Sequence, residues 1–522
     1  MKQQVLLSSL LLLPGLLPAQ GVFHQPGPII DSVAIVTHNV FDDDEARSSF
    51  FFRLANSVRV RTRTAVVRRE LLFGVGEPYD SAAAAETERN LRRLGIFRDV
   101  TIDTVRVDGR LTTVVETSDG WTTDLQLNAR STGGEFSWSA GLLERNFVGS
   151  ATSVGASYRN EPDRTAVSVV LAADRTLGSR IAVQGLYDDL SDGRRGFWLM
   201  GLPFRAFTDR KSFNLSGAAG KERVLQYRDG ALLATFRRRM FLQRAQVAVA
   251  PKATSALYVR VGLAAQIRRE EYLADTTLAA LVPDTVTGAL GIFADIRQAR
   301  FKVVTHYNGF DRDVDVDLST RLSVTTWLAP TAFGYEQTGV GVGITARTGA
   351  SIGRSFGWVE VRADGLFTTS SGLDSGRVWV GATGVSQFLA KSATVFHVEA
   401  GSLRRTPQGT EFDLGHGLGP RAFGAHAFTG TRTVWGSLEH RAFLVDETLG
   451  LLGLGLAGFV DYGGAWFANQ GARVGGDIGG GLRFGSVRAT GPNIGRIDLA
   501  YRFGDGFDSG RWIVLFGRGF FF

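Results

Sequence analysis

The sequence contains no cysteine. That absence removes disulfides, thiolate metal sites and cysteine nucleophiles together. Past residue 20 it also lacks any run of about 18 consecutive apolar residues, so no transmembrane helix is available. Long basic runs are missing too. The formal charge of +7 is modest for 522 residues, and it leaves no footprint for nucleic acid. The seven histidines are scattered, with no His-Glu-x-x-His or paired metal spacing. No catalytic constellation is visible, so the chain is expected to be no enzyme and to need neither metal nor cofactor.

What is abundant is glycine and phenylalanine. Gly accounts for 65 residues and Phe for 36, a glycine share of about 12% against roughly 7% in average proteins. Met1-Lys2 and the Leu-rich run Val5–Leu17, followed by Pro18-Ala19-Gln20, have the layout of a signal peptide over residues 1–19. An exported chain without an apolar helix is either soluble or a β-barrel.

After a linker over residues 20–28, residues 29–119 read as a small α/β module. A strand over 29–38 is followed by the acidic triplet Asp42-Asp43-Asp44, read as a solvated loop. Thr64–Phe73 has helical spacing, with Val66, Val67, Leu71 and Leu72 on one side, and Gly74 and Gly76-Glu77-Pro78 stop it. Asp80-Ser81 can cap a second helix, Ala82–Leu94, ended by Gly95. Strands Phe97–Val105 and Leu111–Glu116 follow around Asp108-Gly109, giving the order β-α-α-β-β.

From Trp121 onward the period becomes two. Val259, Val261, Leu263 and Ile267 alternate with Arg260, Gly262, Ala264 and Gln266. Ile497, Leu499 and Tyr501 alternate with Asp498, Ala500 and Arg502. A soluble sandwich would show this pattern as well. Export, aromatic richness and the number of segments favour a transmembrane barrel over residues 120–522, apolar outside and polar within. Up to about 20 alternating segments can be marked. Counting in twos puts Glu439 and Arg441 on the polar face of their strand and Asp461 on that of its own. The glycine-rich run Gly475–Gly481 has no Lys-Ser/Thr of a phosphate loop and reads as a strand where backbones approach closely.

Two sets of motifs carry a resemblance. Arg68-Arg69-Glu70-Leu71-Leu72, Gly76-Glu77-Pro78-Tyr79-Asp80 and Asn90–Val100 with its Leu-Gly-Ile-Phe resemble a POTRA domain. Four segments of the remainder resemble the Omp85 superfamily of outer-membrane assembly and translocation barrels (BamA/TamA-like, bacterial surface antigen D15-type). They are Glu144–Gly149 with its Asn-x-x-Gly turn, Pro420-Arg421-Ala422-Phe423-Gly424, Gly436–Arg441 with Phe459-Val460-Asp461-Tyr462-Gly463, and the closing strands Gly479–Phe484 and Arg496–Tyr501. Gly517, Phe520 and Phe522 resemble the C-terminal β-signal of such barrels, with Leu515 where a polar residue is usual.

The resemblance implies an all-β transmembrane barrel of about 16 strands preceded by one periplasmic POTRA domain. It also implies a lumen loop whose Arg421, Phe423 and Gly424 latch onto Asp461, supported by the lumen-facing Glu439, Arg441 and Asp498. Ala422 stands where the motif has Gly, and Pro420 where it has Val. The implied role is insertion or translocation of unfolded barrel or secreted client proteins at the outer membrane, by a monomeric barrel in contact with outer-membrane lipid or lipopolysaccharide. A periplasmic partner would dock on the POTRA domain. A passive pore and a secretion partner dedicated to one substrate are the rival readings.

Overall fold

The architecture was obtained as a computed structural model. It describes residues 27–40, 60–132, 135–228, 230–274, 284–370, 372–406, 410–448, 452–486 and 494–518. The expected signal peptide, the acidic triplet and Phe520 with Phe522 lie outside the described residues.

The N-terminal unit follows the expected order: β1 (Ser32–His38), α1 (Thr64–Glu70), α2 (Ser81–Arg93), β2 (Phe97–Val107) and β3 (Arg110–Asp119). Its three-stranded sheet has the order β1-β3-β2, with β1 parallel and β2 antiparallel to the central β3. Asp80 caps α2 by accepting from the Ala82 amide at 2.8 Å, a cap of the kind that stabilises a helix by about 1 kcal/mol. The first helix is shorter than its spacing predicts. Leu71 turns extended, and the Leu72 amide donates to the Thr87 hydroxyl of α2 instead of continuing the helix. Ile30, Val67, Leu91, Ile96, Phe97 and Val115 form the core, each at most 1% exposed.

Twenty antiparallel strands then close into one barrel. The first six are β4 (Thr123–Thr132), β5 (Glu135–Glu144), β6 (Thr152–Asn160), β7 (Thr165–Ala173), β8 (Ala182–Leu190) and β9 (Gly193–Leu202). Four longer strands follow: β10 (Lys211–Arg228), β11 (Ala231–Ala253), β12 (Leu257–Ala274) and β13 (Thr285–Gln298). A short hairpin, β14 (Phe301–Val304) with β15 (Val314–Asp317), interrupts the wall. The wall resumes with β16 (Thr320–Ala329), β17 (Gly339–Ile352), β18 (Ser355–Thr368), β19 (Gly372–Ser386) and β20 (Ser392–Arg404). A second inserted hairpin, β21 (Phe412–Leu414) with β22 (Phe428–Gly430), precedes β23 (Arg432–Thr448) and β24 (Leu452–Trp466). β25 (Gly475–Ser486), β26 (Ile494–Gly504) and β27 (Trp512–Arg518) complete the ring, and β27 lies beside β4.

The expectation of about 16 strands, with up to 20 possible, is thus met at its upper end. Segments that read as halves of one long strand are separate strands with tight turns between them. Between β17 and β18 only Gly353-Arg354 intervene, with Gly353 at φ 55°, a left-handed turn rather than a bend in one strand.

Which face looks outward decides between barrel and sandwich. Along β24, Leu454, Leu456, Val460 and Tyr462 are 40–52% exposed, whereas Ala457, Phe459 and Asp461 are at most 7% exposed. Val261, Leu263 and Ile267 of β12 and Ile497 and Leu499 of β26 are likewise 37–60% exposed. A ring that buries its charges and exposes its aliphatics outward is suited to lipid, and closure pairs the backbone groups that lipid cannot satisfy.

The N-terminal unit sits against one end of the barrel, hereafter the near end. Thr62 donates through its hydroxyl and its amide to Asp119, at 2.6 and 3.0 Å, and accepts from Asn146 at 2.9 Å. Asn146 opens the Asn-x-x-Gly turn, and its Oδ1 also receives the Ala151 amide. The motif therefore ties the first barrel hairpin to the segment entering α1.

Candidate functional site in the barrel lumen

The loop between β20 and β23 enters from the far end and folds back into the lumen. Its tip is the Pro420–Gly424 segment. Asp461 of β24 and Asp477 of β25 stand directly opposite each other in register on the lumen face, an arrangement of like charges that demands a cation or donors between them. The loop supplies both. Arg421 donates from Nε to Asp461 Oδ2 at 2.6 Å and from a terminal nitrogen to Oδ1 at 3.1 Å, a bidentate pair. The Ala422 amide donates to Asp477 at 3.1 Å. The other terminal nitrogen of Arg421 reaches Glu439 at 2.6 Å, and its guanidinium lies 3.8 Å from the Phe459 ring centroid. Burial opposes the Arg421 charge, yet Asp461 and Glu439 push its pKa above the ordinary arginine value.

The expected support residues are in this cluster as well. Glu439 accepts from Arg441 Nε at 2.7 Å, and Asp498 accepts from Arg483 at 2.6 Å. Arg502 reaches the Ala422 carbonyl at 3.4 Å. All these charged side chains are at most 3% exposed. Phe423 anchors the loop in an apolar cluster with Phe428, Leu414 and Trp435, its ring centroid 5.1 Å from that of Phe428. The Phe423 carbonyl, just before Gly424, accepts the His416 amide. Gly517 lies on β27 opposite Arg496, and a Cβ there would come within 2.7 Å of the Arg496 Nε.

Two of the three departures from the resembled motifs meet. Ala422 and Leu515 belong to one buried cluster with Phe459 and Ala500, so a methyl group and a leucine fill space together. The backbone at Ala422 does not need glycine, because its φ is not positive.

Three parts of the site were not foreseen. Asp477, Arg483 and Arg502 are inside strands whose polar face was recognised only in part. His426, in the same loop, is stacked on Tyr227 at 3.5 Å between centroids and bonds Asp163 and Asp413 at 3.0 and 2.6 Å. Burial lowers the imidazole pKa, but the two carboxylates outweigh it and raise the value to about 9. The third part is the near-end hairpin, residues 299–319. Arg441 donates to the Tyr307 carbonyl at 3.1 Å and to Asn308 at 3.2 Å. On its other side Asp315 accepts a bidentate pair from Arg92 of α2, at 2.6 and 3.0 Å. One polar chain therefore runs from α2 through the hairpin, Arg441 and Glu439 to Arg421 of the far-end loop.

Geometrically the cluster is a latch, in which each charged side chain is held by another member or by the loop backbone. Two overlapping Gly-x-Ser-x-Gly strings, Gly349–Gly353 and Gly353–Gly357, run through β17, its turn and β18; strand–turn–strand lacks the helix that follows a hydrolase elbow. Among the described residues no group of three or more His, Asp or Glu is placed to hold a metal.

Fold and site together define a transmembrane β-barrel with an arginine-latched loop in its lumen. No family model and no curated protein matches this chain. Solved structures of similar architecture include BamA from Haemophilus ducreyi lacking POTRA domains 1–3, at 10% identity over 93% of this chain and 83% of that one, TM-score 0.38. CdiB from Acinetobacter baumannii is 8% identical over 94% of this chain and 73% of that one, TM-score 0.46. CdiB from Escherichia coli is 10% identical over 95% of this chain and 91% of that one, TM-score 0.47.

Proposed function

We propose that the chain is an Omp85-type outer-membrane barrel that inserts or translocates client proteins, with its N-terminal unit a POTRA domain in the periplasm. The observation that carries this reading is the bidentate Arg421–Asp461 latch, which holds a motif-bearing loop inside the lumen. The N-terminal unit supports it: β1 and β2 are edge strands, and an edge with unpaired N–H and C=O groups can accept a client strand. The role is non-enzymatic. β27 and β4 form the ring's closing seam, where local opening would offer a strand edge to a client and thin the adjacent bilayer. A disulfide across that seam should abolish function while leaving the barrel folded; full function in the locked form overturns the seam mechanism.

The partly exposed Phe197, Leu242, Arg244 and Gln266 on the lumen face of β9 to β12 favour a second reading, a passive pore that has kept the architecture. Depletion in the host followed by outer-membrane proteomics separates them. A broad fall in other β-barrels supports general assembly, and loss of one exported protein identifies a dedicated secretion partner. An unchanged proteome overturns the protein-handling reading and leaves the pore.

A further inference from the structure

We infer that the far-end rim of β9 to β12 carries, on its lipid-facing side, a docking site for a phosphate-bearing lipid headgroup in the leaflet remote from the N-terminal unit. The inference needs only the barrel and its orientation relative to that unit, not the proposed function.

Above Lys211 at the near end, the outward face of these strands is mainly apolar. Val249, Val247 and Phe241 of β11 are 41–54% exposed, as are Met200 of β9 and Ile267 of β12 at 47% and 48%. From Val249 to Phe241 the strand advances about 27 Å, or about 20 Å along the membrane normal at ~40° of tilt, close to the height of a lipid-facing belt. Immediately above, the same face becomes cationic. In register across the strands lie Arg194, Lys221 and Arg239, and one row higher Arg223 and Arg237. Arg269 stands beside Phe241.

Two of these pairings, Lys221↔Arg239 and Arg223↔Arg237, place like charges directly opposite each other, which destabilises a sheet unless an anion lies between them. The local carboxylates do not cancel the charge. Asp189 and Glu271 flank the first row, Asp192 approaches Arg223 at 3.9 Å and Glu222 lines the groove, so among the described residues six cations face four carboxylates. Glu271 is already engaged by Arg239 and Arg269. Arg194 and Lys221 are exposed and have no carboxylate within 4.0 Å among the described residues.

The strands themselves leave room for a headgroup. The β8–β9 hairpin ends at Ser191-Asp192, while β10 and β11 rise on to Arg228 and Ala231. The step between them is a groove of about 640 Å³ lined by Arg194, Lys221, Arg223 and Arg237 together with the hairpin turn and Glu222. A lipid whose acyl chains lie on Phe241 and Ile267 would put its phosphates in this groove. Charge, level and shape agree on that occupant, since cations at the headgroup level attract anionic lipid.

The test uses the full-length protein in detergent micelles, titrated with fluorescent diphosphoryl lipid A and, separately, with monophosphoryl lipid A. The triple variant Lys221→Gln/Arg223→Gln/Arg239→Gln should lose at least tenfold in affinity for the diphosphoryl lipid, and wild type should prefer diphosphoryl over monophosphoryl lipid several-fold. Lys211→Gln, at the near end of the same strand, should bind as wild type does. If the triple variant fails to fold, judged by heat-modifiable migration, Arg194→Gln replaces it, with about a threefold loss expected. Inorganic phosphate at the lipid's concentration should not displace it. Equal affinity of variant and wild type, indifference to the second phosphate, or displacement by inorganic phosphate overturns the lipid site.

Discussion

Two walls of this barrel are written in the same alternating pattern and end in different states. Along β23 to β26 the lumen face is a packed interior: Glu439, Arg441, Ala457, Asp461, Asp498 and Ala500 are all at most 7% exposed. Along β9 to β12 the lumen-facing Phe197 is 41% exposed, and Leu242, Arg244 and Gln266 are half-buried. The difference comes from outside the strands. The loop from Arg405 to Thr431 lies on the first wall and turns its polar face into a core. The second wall is covered only in part, since Phe236, Tyr258, Arg260 and Ala264 on the same face are at most 8% exposed. Period two thus encodes which side chains point inward, and says nothing about whether anything covers them.

The largest effect that would break this comparison is removal of the latch. Asp461→Ala removes the bidentate partner of the buried Arg421, and breaking a buried pair typically costs about 3–5 kcal/mol. On the open wall, Arg244→Ala loses a 3.0 Å hydrogen bond to Gln266 and should cost about 1 kcal/mol or less. Denaturant titration of the two purified variants checks the contrast; equal losses would erase it.

Next in size is the pH response of the loop. The folded pKa of His426, about 9, lies above its ordinary value of 6.5. Its contribution is therefore complete below about pH 6.5 and is lost as the pH rises through about 9. A rise of that size corresponds to about 3 kcal/mol, which solvent screening of a partly exposed imidazole reduces to roughly 2 kcal/mol. Proteolysis of the loop should accelerate between pH 7 and pH 10 in wild type, while His426→Gln should show no such step. A smaller effect is expected for Asn308→Ala, which removes one of the acceptors of Arg441 at the near-end hairpin, about 1 kcal/mol. Its readout is hydrogen exchange in residues 301–317, faster than in wild type. The smallest is Ala422→Gly. It removes one buried methyl group from the cluster with Leu515, about 1 kcal/mol, and thermal melting should register a slight drop.

The strand faces, the α2 cap and the latch partners were legible because each follows from local chemistry or from a short motif. Glu439, Arg441 and Asp461 needed only counting in twos. The strand number was not legible, since a two-residue turn such as Gly353-Arg354 interrupts the alternation too briefly to be told from a bend. Asp477 was hidden in a glycine-rich run, where the missing side chains obscure the period. The hairpin of residues 299–319 and the His426 clamp join groups far apart in the chain, such as His426 with Asp163 and Arg92 with Asp315, and no local pattern announces them.

Arg421 holds the loop against one wall, and its release is expected to open the lumen. Single-channel conductance of the full-length protein in planar bilayers tests it most directly, comparing wild type with Arg421→Ala. Wild type should show a small conductance, and the variant should show openings several-fold larger. A wide, steady channel in wild type, or identical traces from both proteins, would contradict it.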